Sequence, residues 1–441
     1  MEKIVSLCKR RGFIFPGSEI YGGLAGTWDY GPLGVELKNN IKKAFWESMV
    51  YRRDDVVGLD AAIMMHPKTW EASGHVQAFT DPLIECKICH ERLRADQTEE
   101  IKNHENSHVG QKTSWTEPKK FNLLVEARLG VVEDERTKIY LRGEITQGVH
   151  VNFKNIIDSG RVKIPFGVAQ IGKAFRNEIT PGNFTFRSRE FEQMELQFYV
   201  KPEEKESKKW FDYWKEERMN WYVDLGMDKK KLRFREHEPD ERAHYAKDAW
   251  DIEYQSPFGW REFIGIHHRG DWDLSQHQKH SGVDMTYFDS ETEERYLPWI
   301  IETSAGVDRA MLFFLIDAYH EEKNPSSAKA SAGKRIVLKL HPRLAPYKAA
   351  VFPLLANKTE LVKLARKIYD DLRKEMMVAF DDRGNIGKRY YSQDEIGTPF
   401  CITIDFESLE KNDVTVRDRD TMKQERVKIE NLVEYLKQKI F

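Results

Sequence analysis

Residues 172–200 read GKAFRNEITPGNFTFRSREFEQMELQFYV, two runs of β-type alternation joined around the turn signal Thr180-Pro181-Gly182-Asn183. Alternation counted from Phe175 puts Arg176 and Glu178 on one face of the first run. It puts Phe191, Gln193, Glu195 and Gln197 on one face of the return. Two arginines between the runs, Arg187 and Arg189, complete a set suited to a polyanion. A guanidinium fork matches phosphate or carboxylate bidentately, a neighbouring glutamate holds a metal or an amine, and an aromatic ring at the strand base covers a purine. The same letters also describe an exposed ribbon of solvated ion pairs, and on this stretch alone the two readings are even. Partners elsewhere in the chain decide between them.

The first partner lies downstream. Residues 297–319, LPWIIETSAGVDRAMLFFLIDAY, begin as a buried strand, pass through Thr-Ser-Ala-Gly and become a helix, which puts Arg309 in the first turns of that helix. A helix N-terminus carries orphan N–H groups and a positive dipole end, so Gly306 permits close approach and Arg309 adds a fixed cation for phosphate. An arginine that merely caps a buried helix is the alternative, but Glu302, Ser304, Gly306 and Arg309 within one short stretch favour a site. Residues 254–265 read as a strand pair around a Pro-Phe-Gly turn, with Glu262 directed at the same site. Ahead of both, residues 203–225 form a long helix whose stripe of Trp210, Phe211, Trp214, Trp221 and Tyr222 belongs to a core, with Gly226 as the stop.

Upstream, residues 140–154 carry a second acid, Glu144, directly after a glycine. Residues 12–34 are dense in glycine and aromatics, which suits either close approach to a small ligand or an irregular loop. Residues 35–50 are helical, with Leu37, Ile41, Ala44, Phe45 and Ser48 along one face expected to pack on a partner surface. Residues 56–65 are expected as one strand, ended at His66-Pro67 because the residue before proline is pushed out of the helical region. From residue 83 to 121 the chain turns polar, which marks an insertion (about 84–139). Within it Cys86 and Cys89 have the spacing of a metal knuckle, and His104 with His108 sits where the second pair of a Cys₂His₂ zinc site falls. Two reduced cysteines and two solvated histidines are the alternative.

A length of 441 residues predicts two or three domains. Apolar residues at 40% and charged residues at 32% fit a globular chain, and a net charge of −2 gives no global attraction to nucleic acid, so RNA contact has to come from local patches. Four cysteines make no disulfide framework, and the opening MEKIVSLCKR lacks the apolar core of a signal peptide. The strongest apolar run, residues 311–316, is too short to span a bilayer, so a cytoplasmic location is expected. Residues 320–335 are rich in Ser, Ala and Lys and read as a linker. Beyond it, strands at 336–340, 349–353, 400–404 and 414–417 alternate with helices at 358–375 and 425–440, which predicts an α/β domain of parallel type.

These stretches together resemble one family. FRNE with the RSREFEQME return resembles the second signature motif of class II aminoacyl-tRNA synthetases and SAGVDR the third. The helix from Val35 and the strand ending near Pro67 stand where the first, dimer-forming motif belongs. WDYGPLGVELKNN and LRGEITQGVHVNFKN resemble stretches particular to the homodimeric glycyl-tRNA synthetases. RIVLKLHPRLAPYKAAVFPL, GNIGKRY and DEIGTPFCITID resemble the anticodon-binding domain shared by glycyl, histidyl, prolyl and threonyl enzymes. The resemblance implies an α+β chain: an antiparallel-sheet catalytic domain over 1–335 with the polar insertion, then an α/β anticodon-binding domain over 336–441. It implies a homodimer that joins glycine to tRNA(Gly) with ATP and Mg²⁺.

Residue roles follow from the resemblance alone. Arg176 would grip the α-phosphate and the substrate carboxylate, Glu178 would approach the adenine, and Arg309 would hold the γ-phosphate. Asn177, the run Phe186, Arg187, Ser188, Arg189, Glu190 and Phe191, then Phe263 and Gly306, Val307, Asp308 would line ATP, with Phe191 stacked on the base. Glu262 and Glu302 would serve Mg²⁺ or the nucleotide. Glycine would meet Glu144, Glu195 and Ser304 through its amino group, among Phe191, Glu192, Gln193, Met194, Glu302, Thr303, Ala305 and Gly306, with Arg94 of the Arg-Ala-Asp stretch nearby. The chain departs from the family at Gly182, often Arg there, at Gly143, usually Pro, and at Gln197, where a further acid is common. Lys388, Arg389, Arg417 and Arg419 offer local positive charge for RNA. A synthetase for another small amino acid and a non-catalytic nucleic-acid-binding paralogue are the rivals, and the retained motif arginines count against the second.

Overall fold

A computed structural model describes residues 1–130, 138–239, 241–242, 246–322 and 334–441. Seven strands build the central sheet: β1 Val56–Gly58, β2 Phe166–Phe175, β3 Glu190–Val200, β4 Leu232–Glu236, β5 Asp248–Ser256, β6 Gly259–Gly270 and β7 Trp299–Gly306. Across the sheet they run β4-β5-β6-β7-β3-β2-β1. All neighbours are antiparallel except β1, which lies parallel to β2 at the edge. The long pair β2–β3 keeps register from Phe166↔Tyr199 to Phe175↔Glu190.

Period two then divides the side chains. Met194, Leu196 and Phe198 of β3, Ile264 and Ile266 of β6, and Ile301 and Ala305 of β7 enter one large core. That core is covered by α1 Pro32–Trp46, α2 Glu204–Asp224 and α4 Val307–Ala318, the last entered directly from β7. The other face is closed at one end by Val149, Phe153, Phe166, Val168, Tyr199, Leu274 and Ile300, with Leu274 contributed by α3 Trp272–Ser281. At its other end it is open.

Several expectations change. The stripe Leu37, Ile41, Ala44 and Phe45 on α1 is buried in the chain's own core, so it is not a partner surface. The expected strand 56–65 is two strands, β1 and Met64–Met65, the second pairing with Tyr140 and Leu141 in a separate three-stranded sheet. The chain is drawn off the central sheet where Ala61 N donates to Gln170 Oε1 (2.7 Å) and Arg142 Nη1 donates to Ala61 O (2.7 Å). The first strand of the opening motif ends at Phe175. Arg176 N still reaches Arg189 O (2.8 Å), but Asn177 N turns to Leu123 O, so Arg176 and Glu178 sit on a loop. The glycine-rich stretch 12–34 braces that loop: Arg189 N donates to Gly26 O (2.7 Å) and Arg189 Nη1 to Ala25 O (3.0 Å).

The second domain holds a five-stranded sheet in the order Val378–Phe380, Ala349–Pro353, Phe400–Ile404, Asp413–Asp418, Gln424–Lys428. Only the first three are parallel; the last two run antiparallel, so the sheet is mixed. Arg335–Leu338 pairs instead with Tyr319–Glu322. Helix Ile386–Ile396 had no counterpart in the sequence reading, and the helix expected at 425–440 is a strand followed by helix Leu432–Ile440. Residues 323–333 of the expected linker and 131–137 of the insertion lie outside the described residues.

Candidate active site

The open end of the sheet face holds a cavity of about 470 Å³. One end is acidic. Glu195, on the cavity side of β3 and 1% exposed, accepts from Thr146 Oγ1 (2.6 Å), Ser304 Oγ (2.6 Å) and Gln193 Nε2 (2.9 Å). Glu144 accepts from Gln147 Nε2 (3.2 Å), and its other oxygen faces His75 Nε2 at 3.3 Å. Glu302 is paired with Arg269 and lies 3.6 Å from His267 Nδ1. Behind them Asp273 takes Arg269 on both oxygens (2.8 and 3.0 Å) and accepts from Gln147 Nε2 (2.8 Å). One buried carboxylate thus steadies the partners of both Glu144 and Glu302.

Burial and the neighbouring charges of Glu302 and Glu144 raise the Glu195 carboxyl to about 8. Burial pushes Glu144 in the same direction, but His75 and Arg269 outweigh it and hold that carboxyl well below the usual range. Asp273 is likewise held down, burial being overcome by Arg269 and His150. The three acids of the pocket are therefore unequal: a protonated Glu195 at neutral pH beside an ionised Glu144, with Glu302 also lowered, against burial, by Arg269 and His267.

The other end is basic and half-open. Arg176 donates from Nε to Gly143 O (3.0 Å), and its guanidinium lies 5.1 Å from the Phe79 ring centre and 5.3 Å from that of Phe191. Gly143 matters here, since a Cβ would stand 2.9 Å from the Phe79 ring. Arg309 lies over Phe186 (4.4 Å) and pairs with Glu262 Oε1 (3.1 Å), which holds that carboxyl low. Glu262 reaches the cavity because β6 bulges: Ile252 faces Ile264 and Glu253 faces Glu262, so Phe263 is the extra residue and the alternation resets. Arg187 stands 3.9 Å from Glu178, whose buried Oε2 has no hydrogen-bond partner among the described residues. Arg94 binds Asp81 (2.7 Å) and Asp96 (3.0 and 2.6 Å) on the same wall.

Among the expected residues, the cavity gathers Arg94, Glu144, Arg176, Glu178, Phe186, Arg187, Ser188, Phe191, Gln193, Glu195, Glu262, Phe263, Glu302, Ser304, Gly306, Asp308 and Arg309. Alternation takes others away. Met194, Ala305 and Val307 are core residues, and Thr303 is buried at 1% exposure outside the lining. Glu192 turns to Lys38 (2.8 Å) and Lys42 (3.2 Å). Asp308, although at the rim, is spent on Lys38 (2.7 Å), Tyr30 and Glu192 N (2.6 Å), so it buttresses the helix head. Asn177, Arg189 and Glu190 line a neighbouring cavity.

Glu262 and Glu302 lie apart on the sheet: Glu302, tied to Arg269, stands opposite His267, four strand steps along β6 from Glu262 with the bulge residue set aside, roughly 13 Å. Gln197 is buried under Glu195, with Nε2 3.4 Å from Thr146 Oγ1. The sequence reading missed His75, Phe79, Asp81, Gln147, His267, Arg269 and Asp273. The polar run 267–274, HHRGDWDL, shortly after Glu262, is the local signal that marks part of this set.

An antiparallel sheet that presents one arginine from the loop after β2 and another from the helix head after β7 is the core of a class II aminoacyl-tRNA synthetase. Residues 130–318 match the tRNA synthetase class II core domain (G, H, P, S and T), and residues 348–439 match an anticodon binding domain. The whole chain is 53% identical to the glycine–tRNA ligase of Borreliella burgdorferi (strain ATCC 35210 / DSM 4680 / CIP 102532 / B31) over 443 residues, 100% of this chain and 97% of that protein. It is 52% identical to that of Thermobifida fusca (strain YX) over 456 residues, 100% and 98% of the two. To that of Geobacillus thermodenitrificans (strain NG80-2) it is 53% identical over 465 residues, 100% and 97%. The chain belongs to the glycine–tRNA ligase family.

The second domain corrects one expectation about RNA. Arg389 is buried and gives its guanidinium to Pro353 O, Asp382 O and Gly384 O. Arg417 is spent on Asp394 (2.9 Å), and Arg419 on Gly397 O, Leu340 O and Asp420. Those three arginines hold the domain together, and Lys388 alone of the four is exposed. No helix among the described residues is long and apolar enough to cross a membrane.

Proposed function

We propose that this cavity activates glycine with ATP and passes the glycyl group to tRNA(Gly), with the acidic end taking the amino group and the basic end the triphosphate. The observation that carries the reading is the split of one sheet face into ends of opposite charge within a single cavity. Glycine lies with its ammonium among Glu144, Glu195 and Ser304 and its carboxylate toward Arg176. A carboxylate oxygen attacks the α-phosphorus; an O–P bond forms there as the bond to the bridging oxygen breaks, and pyrophosphate leaves. Arg176 neutralises charge on the α-phosphate and Arg309 on the γ-phosphate. The 3′-terminal ribose hydroxyl then attacks the acyl carbon and AMP departs. No protein nucleophile is required, so catalysis is positioning and charge neutralisation.

Phe191 offers a ring face to the adenine, and the unpartnered Oε2 of Glu178 suits its exocyclic amine. A Mg²⁺ ion fits at Glu262, a carboxylate 54% exposed beside Arg309, where it would draw charge off the terminal phosphates. Glu302, committed to Arg269, is assigned to the ammonium end instead. Selection of glycine works by exclusion: a rigid wall rejects a β-carbon, whereas a roomy pocket gains only ~1–3 kcal/mol per methylene.

The catalytic part is placed at 1–335 and tRNA recognition at 336–441. A homodimer is supported by the resemblance in the first motif and by exposed Tyr51, Ile63 and Met64 around edge strand β1. The four free cysteines and work on tRNA suit the cytoplasm. ATP–pyrophosphate exchange across glycine, alanine, serine, threonine and proline tests the reading. Exchange with glycine alone is expected; exchange with serine and not glycine overturns it.

A further inference from the structure

Between the cavity wall and solvent stands a small module with little core of its own. Strand Thr80–Glu85 is central, flanked antiparallel by Arg92–Arg94 and Lys119–Asn122, and helix Thr98–Ser107 packs at the tip with no buried residue. Ile84, Cys86 and Leu93 are its buried apolar side chains among the described residues. A unit this small that holds its shape needs a staple, and disulfide or metal are the usual ones.

The tip supplies the means. Cys86 and Cys89 lie on the turn between the first two strands, where His90 adopts a left-handed φ of 62° and its N–H closes on Cys86 O (2.9 Å). His104 and His108 are one helical turn apart. The four ligand atoms lie within 4.8 Å of one another. Cys86 Sγ is 3.8 Å from His108 Nε2, Cys89 Sγ is 3.4 Å from His104 Nε2, and the two Nε2 atoms are 3.1 Å apart. Tetrahedral bonds of about 2.3 Å to sulfur and about 2.0–2.1 Å to nitrogen require edges of about 3.6 Å for S···N and about 3.4 Å for N···N, so these three edges lie within about 0.3 Å of those of a zinc site. The sequence order is C-x₂-C-x₁₄-H-x₃-H, within the zinc-type spacing. His104 Nδ1 faces Glu91 Oε2 at 3.1 Å, which directs its Nε2 lone pair into the quartet, and Trp115 packs on the same ring at 5.2 Å.

We propose that Cys86, Cys89, His104 and His108 bind one structural zinc ion, and that this ion positions the wall of the active site. The knuckle is the hairpin turn whose two strands carry the wall residues. Register Leu83↔Arg94 and Glu85↔Arg92 runs directly into it, and the same strands bring Thr80, Asp81 and Arg94 to the cavity. Arg94 is held there by Asp81 and Asp96, so a frayed turn would release the only guanidinium this module gives the cavity lining. Zinc closes the turn and thereby keeps Arg94 at substrate depth. The second half of the proposal rests on the cavity being the site of glycine activation; the first half does not.

Elemental analysis of the purified full-length protein should find about one zinc per chain, and Co²⁺ exchange should give the visible absorption of a tetrahedral thiolate site. Folded protein that carries no zinc and takes up no Co²⁺, or Cys89→Ser and His108→Ala variants of undiminished zinc content, overturn the site. Cys89 is exposed, so Cys89→Ser should keep its circular dichroism while losing the metal. The structure sets Arg94 beside Glu178 at the nucleotide end, not among the amino-group acids as the resemblance implied, so in pyrophosphate exchange that variant should raise the KM for ATP by about tenfold with a smaller change in kcat. Arg94→Ala, with zinc retained, should reproduce the shift, and the double variant should add little to either. Unchanged kinetics in the zinc-free protein overturn the positioning role while the metal content stands. Absence of any glycine-dependent exchange in the zinc-loaded parent counts against the reading of the cavity, not against the site.

Discussion

The two ends of the cavity are built in opposite ways. The acidic end is buried and built mostly on strands: Glu195 and Ser304 face each other across β3 and β7, both carboxylate oxygens of Glu144, Glu195 and Glu302 have a polar or charged partner, and Asp273 ties the set from behind. The basic end is made on loops and a helix head, half-exposed, with its arginines resting on Phe79, Phe186 and Phe191. A small rigid substrate that must be told from its homologues is met by a site that cannot yield. A long triphosphate that binds and leaves in pieces is met by side chains that can re-aim.

That contrast can be broken most directly at Arg309. Arg309→Ala should lower glycine-dependent pyrophosphate exchange by about 10³-fold or more, as the loss of a cation on the transferred phosphates does elsewhere, with the melting curve and tRNA binding retained. Survival within a few-fold would remove the residue from the triphosphate.

Asp273→Asn attacks the other end from behind. It strips the charge that holds Arg269 and should cost about 3–5 kcal/mol of stability. In the folded fraction the KM for glycine should rise far more than the KM for ATP. Equal shifts would show that the two ends are not separately built.

The pH dependence sharpens the same point. Glu195 is raised to about 8 from an ordinary value of 4.5, so the free protein binds a proton there across neutral pH. Its stabilising contribution is full below about 4.5 and is lost as pH rises through 8. Glycine's ammonium favours the ionised form and must displace that proton. The KM for glycine should therefore fall as pH rises, by at most about tenfold per unit, and level off above 8. Glu195→Gln should flatten the slope and raise the KM at high pH; a slope that persists in the variant would move the titration elsewhere.

The smallest effect belongs to the loop tip. Gly182 has no left-handed φ, and a Cβ there would meet nothing within 4 Å. Gly182→Ala should change exchange rates by less than about threefold, since surface changes away from special backbone sites cost little.

Arg176, Glu178, Arg309, Glu144 and Glu195 were legible because they sit in short runs whose chemistry is unusual for an exposed ribbon. Reading whole runs also drew in Met194, Ala305 and Val307, which the pleat turns into the core, and Glu192, which it turns toward Lys38 and Lys42. Asp273, Arg269 and Gln147 were not legible as a set, since each is an ordinary polar residue until the fold brings them together from 147, 269 and 273. In the second domain Arg389, Arg417 and Arg419 look like RNA contacts by composition, and burial shows them to be internal braces.

By itself the sequence determined the class of protein, the order of its two domains, the motif arginines and acids, and the spacing of a metal knuckle. These depend on local pattern, which period two, caps and short-range spacing preserve. Only the tertiary structure decided where β2 ends, which alternate residues reach the cavity, that a bulge at Phe263 returns Glu262 to it, and that the four zinc-type ligands meet at the turn beside Arg94. Those depend on contacts between distant segments and on burial, which shift a carboxyl or cancel a surface charge without leaving a mark in the local letters.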